Sequence, residues 1–251
     1  MTRAWKDAWL ETAVRVRSAA LWRGVEAQHI VSTMRLAEDA AEQRVLEALL
    51  ERSKPAVPAE AAGRHYLLFT PFRYPPLRHG SRFGTRAEPG IWYGSRTRAT
   101  AFAEKAYYLL LFLEGTAAEL NPLEADVSIF QAGYETRRGV DLTRDPFERY
   151  GALISSPSDY AASQTLGREM RADGVEAFLY ASARDPEHGA NLGLFVREAL
   201  SSRRPSVPES WRCLVTREGV EVTKEDVFRS ASFAFERRVF EVDGRLPSPA
   251  F

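Results

Sequence analysis

Arg82, Tyr93, Glu104 and Ser182 are the side chains of this sequence whose types and spacing suggest chemistry, with Tyr93 eleven residues after Arg82 and Glu104 eleven after Tyr93. Arg82 is flanked by Gly80, Ser81 and Gly84, small residues that let a phosphate or a neighbouring backbone approach closely. Its planar guanidinium can grip an oxyanion through paired hydrogen bonds. The same pattern also describes an ordinary turn arginine. Arg73, before Tyr74, Pro75 and Pro76, has a similar character. Tyr93 stands beside Gly94 at the end of a short apolar run, where its ring can act as a stacking platform and its hydroxyl can bond a ligand. That position equally suits a core tyrosine. Ser182 follows the apolar run Ala177 to Ala181, so it is expected at a strand end, either touching a ligand or simply terminating the strand.

Glu104 is the most informative of these residues. From Ala101 to Leu113 its surroundings are apolar on nearly every helical face, which marks a buried helix. A carboxylate there must meet a cation, a set of hydrogen-bond donors or a ligand hydroxyl. The alternative to a functional role is a structural ion pair with an arginine.

The elements that would position these groups differ between the two ends of the chain. Residues 5–53 contain no proline and one glycine, and Trp9, Val14, Leu21, Val25 and Ile30 recur at helical spacings. This predicts two or three helices, forming an N-terminal extension over residues 1–60 that ends in a proline-containing linker near 54–64. The chemistry-bearing domain then covers 61–251. Short β-prone runs at Tyr66–Thr70, Ile91–Tyr93, Val127–Gln131, Val175–Ser182 and Asn191–Val196 alternate with helices expected over 97–113 and 159–173. Cys213–Thr223 reads as a hairpin turning at Glu218-Gly219, Ala231–Val242 as a further strand, and Asp243-Gly244 opens a tail. Strands and helices in this order, ending in a hairpin, predict an α+β fold.

Composition narrows the function classes. With 45% hydrophobic and 27% charged residues in 251, the chain has the makings of a packed core. Lys plus Arg and Asp plus Glu both number 34, so no overall field attracts nucleic acid or an anionic membrane. The lone Cys213 cannot form an internal disulfide, and no Cys/His cluster has zinc spacing, which favours a reducing cytoplasm and no metal. The apolar stretch Ala106–Leu113 is far short of the roughly 18 residues of a membrane span, and Met1 to Asp7 do not lead into the apolar run of a secretory signal, so export by that route is not expected. A Walker-type loop, a dinucleotide fingerprint and a Gly-x-Ser-x-Gly elbow are all missing from the sequence. His29, His65, His79 and His188 are scattered.

Taken in order, Gly80-Ser81-Arg82-Phe83, Tyr93 and Glu104 resemble the opening half of the RES domain, named for its arginine, glutamate and serine. Ser155-Ser156-Pro157-Ser158 with Gln164-Thr165-Leu166-Gly167 is similar to that family's next helix. Tyr180 to Pro186, followed by Asn191 to Phe195, is similar to its serine-bearing strand, loop and following strand. The likeness spans roughly residues 66–200. It departs in Phe83, where the family commonly has tryptophan, in Ala181, where proline often precedes the serine, and in the long N-terminal extension.

The resemblance implies an ADP-ribosyltransferase-like fold and a bacterial toxin that cuts the nicotinamide–ribose bond of NAD by phosphorolysis or hydrolysis. Glu104 would engage the ribose hydroxyls and stabilise the oxocarbenium. Arg82, with Arg73 and Tyr74, would hold phosphate, Tyr93 would pack on nicotinamide or its ribose, Ser182 would complete the pocket, and Asn191 joins the substrate-binding set. NAD is then the substrate and inorganic phosphate a co-substrate of the phosphorolytic variant. The implied partner is a co-encoded antitoxin, Xre-type or atypical, covering the active site in the bacterial cytoplasm, with homo-oligomers a further form. The N-terminal helices would buttress the domain, cover the cleft, support oligomers or bind the antitoxin. Competing functions are transfer of ADP-ribose to a protein or nucleic acid, and a non-catalytic binding module on the same fold.

Overall fold

The computed structural model describes residues 16–26, 37–56, 63–117, 120–224 and 230–248. Among these residues the strands form one sheet in the order β4-β5-β6-β2-β1-β3-β7-β8-β9. The strands are β1 (Ser18–Glu26), β2 (Trp92–Ser95), β3 (Leu123–Glu135), β4 (Gly139–Asp141), β5 (Ala177–Ala181), β6 (Ala190–Leu194), β7 (Glu209–Val215), β8 (Gly219–Lys224) and β9 (Ala231–Glu236). All neighbours are antiparallel except the parallel pair β4–β5. The helices are α1 (Ala40–Ser53), α2 (Tyr66–Arg73), α3 (Arg98–Gly115), α4 (Gly151–Ile154) and α5 (Ala161–Ala172). The fold is the α+β arrangement expected.

Three sequence expectations are corrected. Residues 18–26 are not helical: they form β1, in the middle of the sheet, pairing along β3 from Ser18↔Glu135 to Glu26↔Val127. Leu21 and Val25 are four apart, a separation that brings side chains to one face in a helix and also, being even, in a strand. Long-range pairing decided between them, and it ties this part of the stretch before residue 60 to the sheet rather than to a separate helical extension. The helix expected further on is present as α1, whose N-cap Asp39 accepts bonds from the Ala41 and Glu42 amides. The expectations over 1–15 and 27–36 lie outside the described residues. The second correction concerns Tyr66–Thr70, which belongs to α2. His65 Nδ1 accepts from the Leu67 amide and starts the turn, and a short apolar run is compatible with helix or strand until its neighbours are known. Ala231–Val242 is a strand only to Glu236 and then turns into a short 3-10 helix.

Both faces of the sheet are covered, and strand alternation assigns residues to each. Along β3, Val127 and Ile129 join the cluster built by α3 through Phe102, Ala106 and Leu110, whereas Phe130, Ala132 and Tyr134 join Leu68 of α2. Along β5, Phe178 and Tyr180 pack with Leu166 and Met170 of α5, while Ala177 and Leu179 face the α2 side. α5 sits so close that a Cβ on Gly167 would run into the Phe83 carbonyl. This contact fixes the turn bearing Arg82 against the helix.

Near the middle, the sheet is barely joined. β1 and β2 pair at Trp22↔Ser95, while β1 runs on along β3 and β2 along β6. A cleft opens where these two strands part.

Candidate active site

Glu104 lies in the second turn of α3, a helix started by Thr97, whose hydroxyl accepts from the Thr100 amide. Its Oε1 accepts from Ser182 Oγ at 2.7 Å and from Asn191 Nδ2 at 2.6 Å. The amide of Asn191 is oriented in turn, because its Oδ1 accepts from Ser95 Oγ at 2.6 Å. Ser182 Oγ also accepts from the Arg184 and Asp185 amides at 3.1 and 3.0 Å, so its proton is directed to the carboxylate. Among the described residues no cation lies within ion-pair distance of Glu104. The alternative of a buried pair with an arginine is therefore not what this carboxylate has: its partners are neutral donors on Oε1, and Oε2 takes no described bond.

Arg82 lines the same cleft. Its Nη1 donates to the Ser156 carbonyl at 2.6 Å, and its guanidinium lies over the Tyr160 ring at 4.6 Å. The turn carrying it is held from behind. Gly80 has φ +73°, where a side chain would be strained and would strike Gly84, and Gln164 of α5 donates to the His79 and Ser81 carbonyls. Tyr93 belongs to the same support: its hydroxyl shares a 2.9 Å bond with Ser81 Oγ and accepts from the Phe83 amide at 3.2 Å. Burial pushes the phenol up to about 12, so it stays protonated. Its ring lines the cleft, but its hydroxyl is engaged with the Arg82 turn rather than left for a ligand.

Arg23 of β1 also lines the cleft. Its Nη1 donates to the Tyr93 carbonyl at 2.5 Å, filling in where a strand partner would have stood. Its Nε is buried and has no partner among the described residues, and desolvation lowers the guanidinium to about 10. Like Arg82, it has no carboxylate partner among the described residues.

The resulting cleft has a volume of about 470 Å³, within the usual range for small-molecule sites. Arg23, Arg82, Tyr93, Glu104, Tyr108 and Asn191 line it, with Tyr74 at its mouth. Ser182 lies behind the carboxylate, fully buried, and acts on the cleft through Glu104. Arg73 is elsewhere: its guanidinium bonds the Pro55 carbonyl and the Glu51 carboxylate. Tyr180 of β5 has its phenol pushed well up by burial first and the Glu104 charge second. Sequence reasoning missed Arg23, Ser95 and Tyr160. Arg23 was hidden by the helical reading of its strand, and the other two are ordinary residue types whose positions follow only from long-range contacts.

Among the described residues, no group of three or more His, Cys, Asp or Glu could hold a metal ion, and no helix is long and apolar enough to cross a membrane.

Comparison with known proteins gives three findings. The RES domain family matches residues 57–216. No curated protein is significantly similar in sequence. Among solved structures, a chain of the M. tuberculosis MbcT–MbcA toxin–antitoxin complex is similar with a TM-score of 0.46 and 13% identity, covering 82% of this chain and 87% of that one.

Proposed function

This chain belongs to the RES domain family, and on that premise we propose that it cuts the nicotinamide–ribose bond of NAD. One observation carries the reading: a single cleft holds a carboxylate that, among the described residues, is bonded only by neutral donors, together with two guanidiniums that have no carboxylate partner among those residues. A ligand suited to it has a centre that becomes cationic and a separate anionic group. NAD has both, an anomeric carbon that turns into an oxocarbenium and a pyrophosphate.

In this reading the bond from ribose C1′ to the ring nitrogen breaks with its electron pair leaving on nicotinamide. The pyridinium thereby becomes a neutral molecule and needs no proton. The positive charge moves to the ribose, where Glu104 stabilises it, Oε2 being the oxygen available to the sugar. Ser182 and Asn191 hold the carboxylate at its post so that little reorganisation is needed during reaction. Arg82 and Arg23 take the pyrophosphate and fix the ribose opposite Glu104. An oxygen of water or phosphate then bonds C1′, and the water proton passes to solvent.

Unrestrained, such an activity drains a shared cofactor and makes the protein a toxin that a partner must silence. The cleft mouth offers a partner apolar surface, with Tyr74, Leu77 and Tyr108 exposed by 36, 64 and 46%. A co-encoded antitoxin seated there would exclude NAD.

The test is product analysis of the purified protein with NAD, with and without phosphate. Free nicotinamide with ADP-ribose identifies hydrolysis, ADP-ribose phosphate identifies phosphorolysis, and label retained on a macromolecule identifies transfer. Binding without any turnover would leave a binding module and overturn the reading. Expressed alone in bacteria, the protein should deplete NAD and arrest growth.

A further inference from the structure

Arg184 is 2% exposed, yet among the described residues it pairs with no carboxylate. Its guanidinium lies over the Tyr107 ring at 3.5 Å, its Nη2 donates to the Pro157 carbonyl at 2.7 Å, and its Nη1 is buried without a partner among the described residues. A cation kept out of water with so few acceptors is costly, and a fold that only needed filling there would do as well with an apolar side chain.

Its surroundings supply a reason. Tyr107 follows Glu104 by three residues on α3, so both project from the same face of the helix, one turn apart. The turn after β5 therefore grips α3 twice: Ser182 bonds Glu104, and Arg184 lies on Tyr107. The second grip is braced, because the Tyr107 hydroxyl donates to the Pro247 carbonyl. Arg184 also reaches the segment that holds Arg82. Pro157 directly follows Ser156, whose carbonyl accepts from Arg82, and Tyr160, whose ring lies under Arg82, has its hydroxyl 3.5 Å from Arg184 Nη2.

We propose that Arg184 is a positioning residue that sets the distance between the Glu104 carboxylate and the Arg82 guanidinium by clamping the Ser182 turn to both α3 and the Ser156–Tyr160 segment. It touches no substrate and acts through Ser182 and the Ser156–Tyr160 segment. Arg184 itself does not line the cleft. The proposal rests on the NAD-cleaving reading for its kinetic consequence, but not for the coupling on which it stands.

The experiment compares wild type, Arg184→Lys, Ser182→Ala and the double variant by nicotinamide release per folded molecule and by denaturant unfolding. Lysine keeps the charge but loses the planar stack and the fork. Arg184→Lys should lower kcat about ten-fold or more with a smaller change in KM, and most of that loss should vanish in the Ser182→Ala background. Arg184→Gln, which keeps a planar donor group that can lie on the Tyr107 ring and bond Pro157, should recover part of the loss. Wild-type turnover by Arg184→Lys, or losses that simply add to those of Ser182→Ala, would overturn the proposal. So would failure of both Arg184 variants to fold, which would make the residue a general structural one. If the wild type itself released no nicotinamide, the reading of the cleft would fail instead. Non-additivity of the same cycle in unfolding free energy would then still decide the clamp: coupled losses support it and additive ones reject it.

Discussion

The two walls of the cleft are built on opposite plans. On one, Glu104 is saturated at Oε1 and braced through Ser182, Asn191 and Ser95, each hydroxyl or amide committed to a fixed partner. On the other, Arg23 and Arg82 spend few of their donors, mostly on backbone carbonyls, and neither has a carboxylate partner among the described residues. The contrast separates two requirements. A carboxylate that must face charge developing during reaction gains from being immobile beforehand, since reorganisation then is not part of the barrier. Cations that receive a ligand already charged gain from unspent donors, because the ligand supplies the missing acceptors.

The largest effect that would sharpen this contrast is expected at the rigid wall. Glu104→Gln keeps the shape and one acceptor but removes the charge, so turnover should fall by about two orders of magnitude, equivalent to about 3 kcal/mol, with NAD binding and the melting temperature little changed. Turnover normalised to folded protein, beside a thermal melt, checks this. A destabilised but fully active variant would return Glu104 to a structural role.

Changes on the cationic wall should act on binding instead. Arg82→Lys should raise the KM for NAD by about ten-fold and lower kcat less, because a point charge replaces the fork. An unchanged KM would remove Arg82 from the ligand's path. Arg23→Met should weaken NAD binding by a similar factor, about ten-fold, without lowering the melting temperature. The sign follows from its surroundings: a desolvated guanidinium whose Nε has no partner among the described residues contributes little to folding, and an apolar replacement removes the cost of burying it. A large loss of stability would mean that its bond to the Tyr93 carbonyl matters more than its place in the cleft.

The smallest effect belongs to Tyr93→Phe. It removes the bonds to Ser81 and the Phe83 amide while keeping the ring in the cleft, so unfolding stability should fall by about 1 kcal/mol and turnover by much less than for Glu104→Gln. A collapse of turnover in a stable variant would show the hydroxyl acting directly on the ligand.

Much of the site was legible in the order of residues alone. Arg82, Tyr93, Glu104 and Ser182 stand at the cleft or directly behind it, and the apolar helix around Glu104 already required a special environment for that carboxylate, since a charge on such a face cannot rely on water. Glycines around Arg82 announced a tight turn for the same local reason. Arg73 looked equivalent to Arg82 because both are arginines near turn residues, and nothing local distinguishes an arginine aimed at a cleft from one bonded to Glu51.

What only the tertiary structure decided was long-range. Residues 18–26 became a strand because β3 and β2 lie on either side, and the even spacing of Leu21 and Val25 satisfies helix and strand alike. That choice placed Arg23 in the gap between β1 and β2. The same holds for the partners of Glu104, which come from positions 78 and 87 residues away and were brought to one oxygen by antiparallel pairing of β5 with β6. The amino-acid sequence by itself determined which chemical groups were present and which helix had to be buried, because residue type and periodicity are local. Whether a given group was spent on the protein or left for a ligand depended on neighbours remote in the chain, and only the folded sheet supplied them.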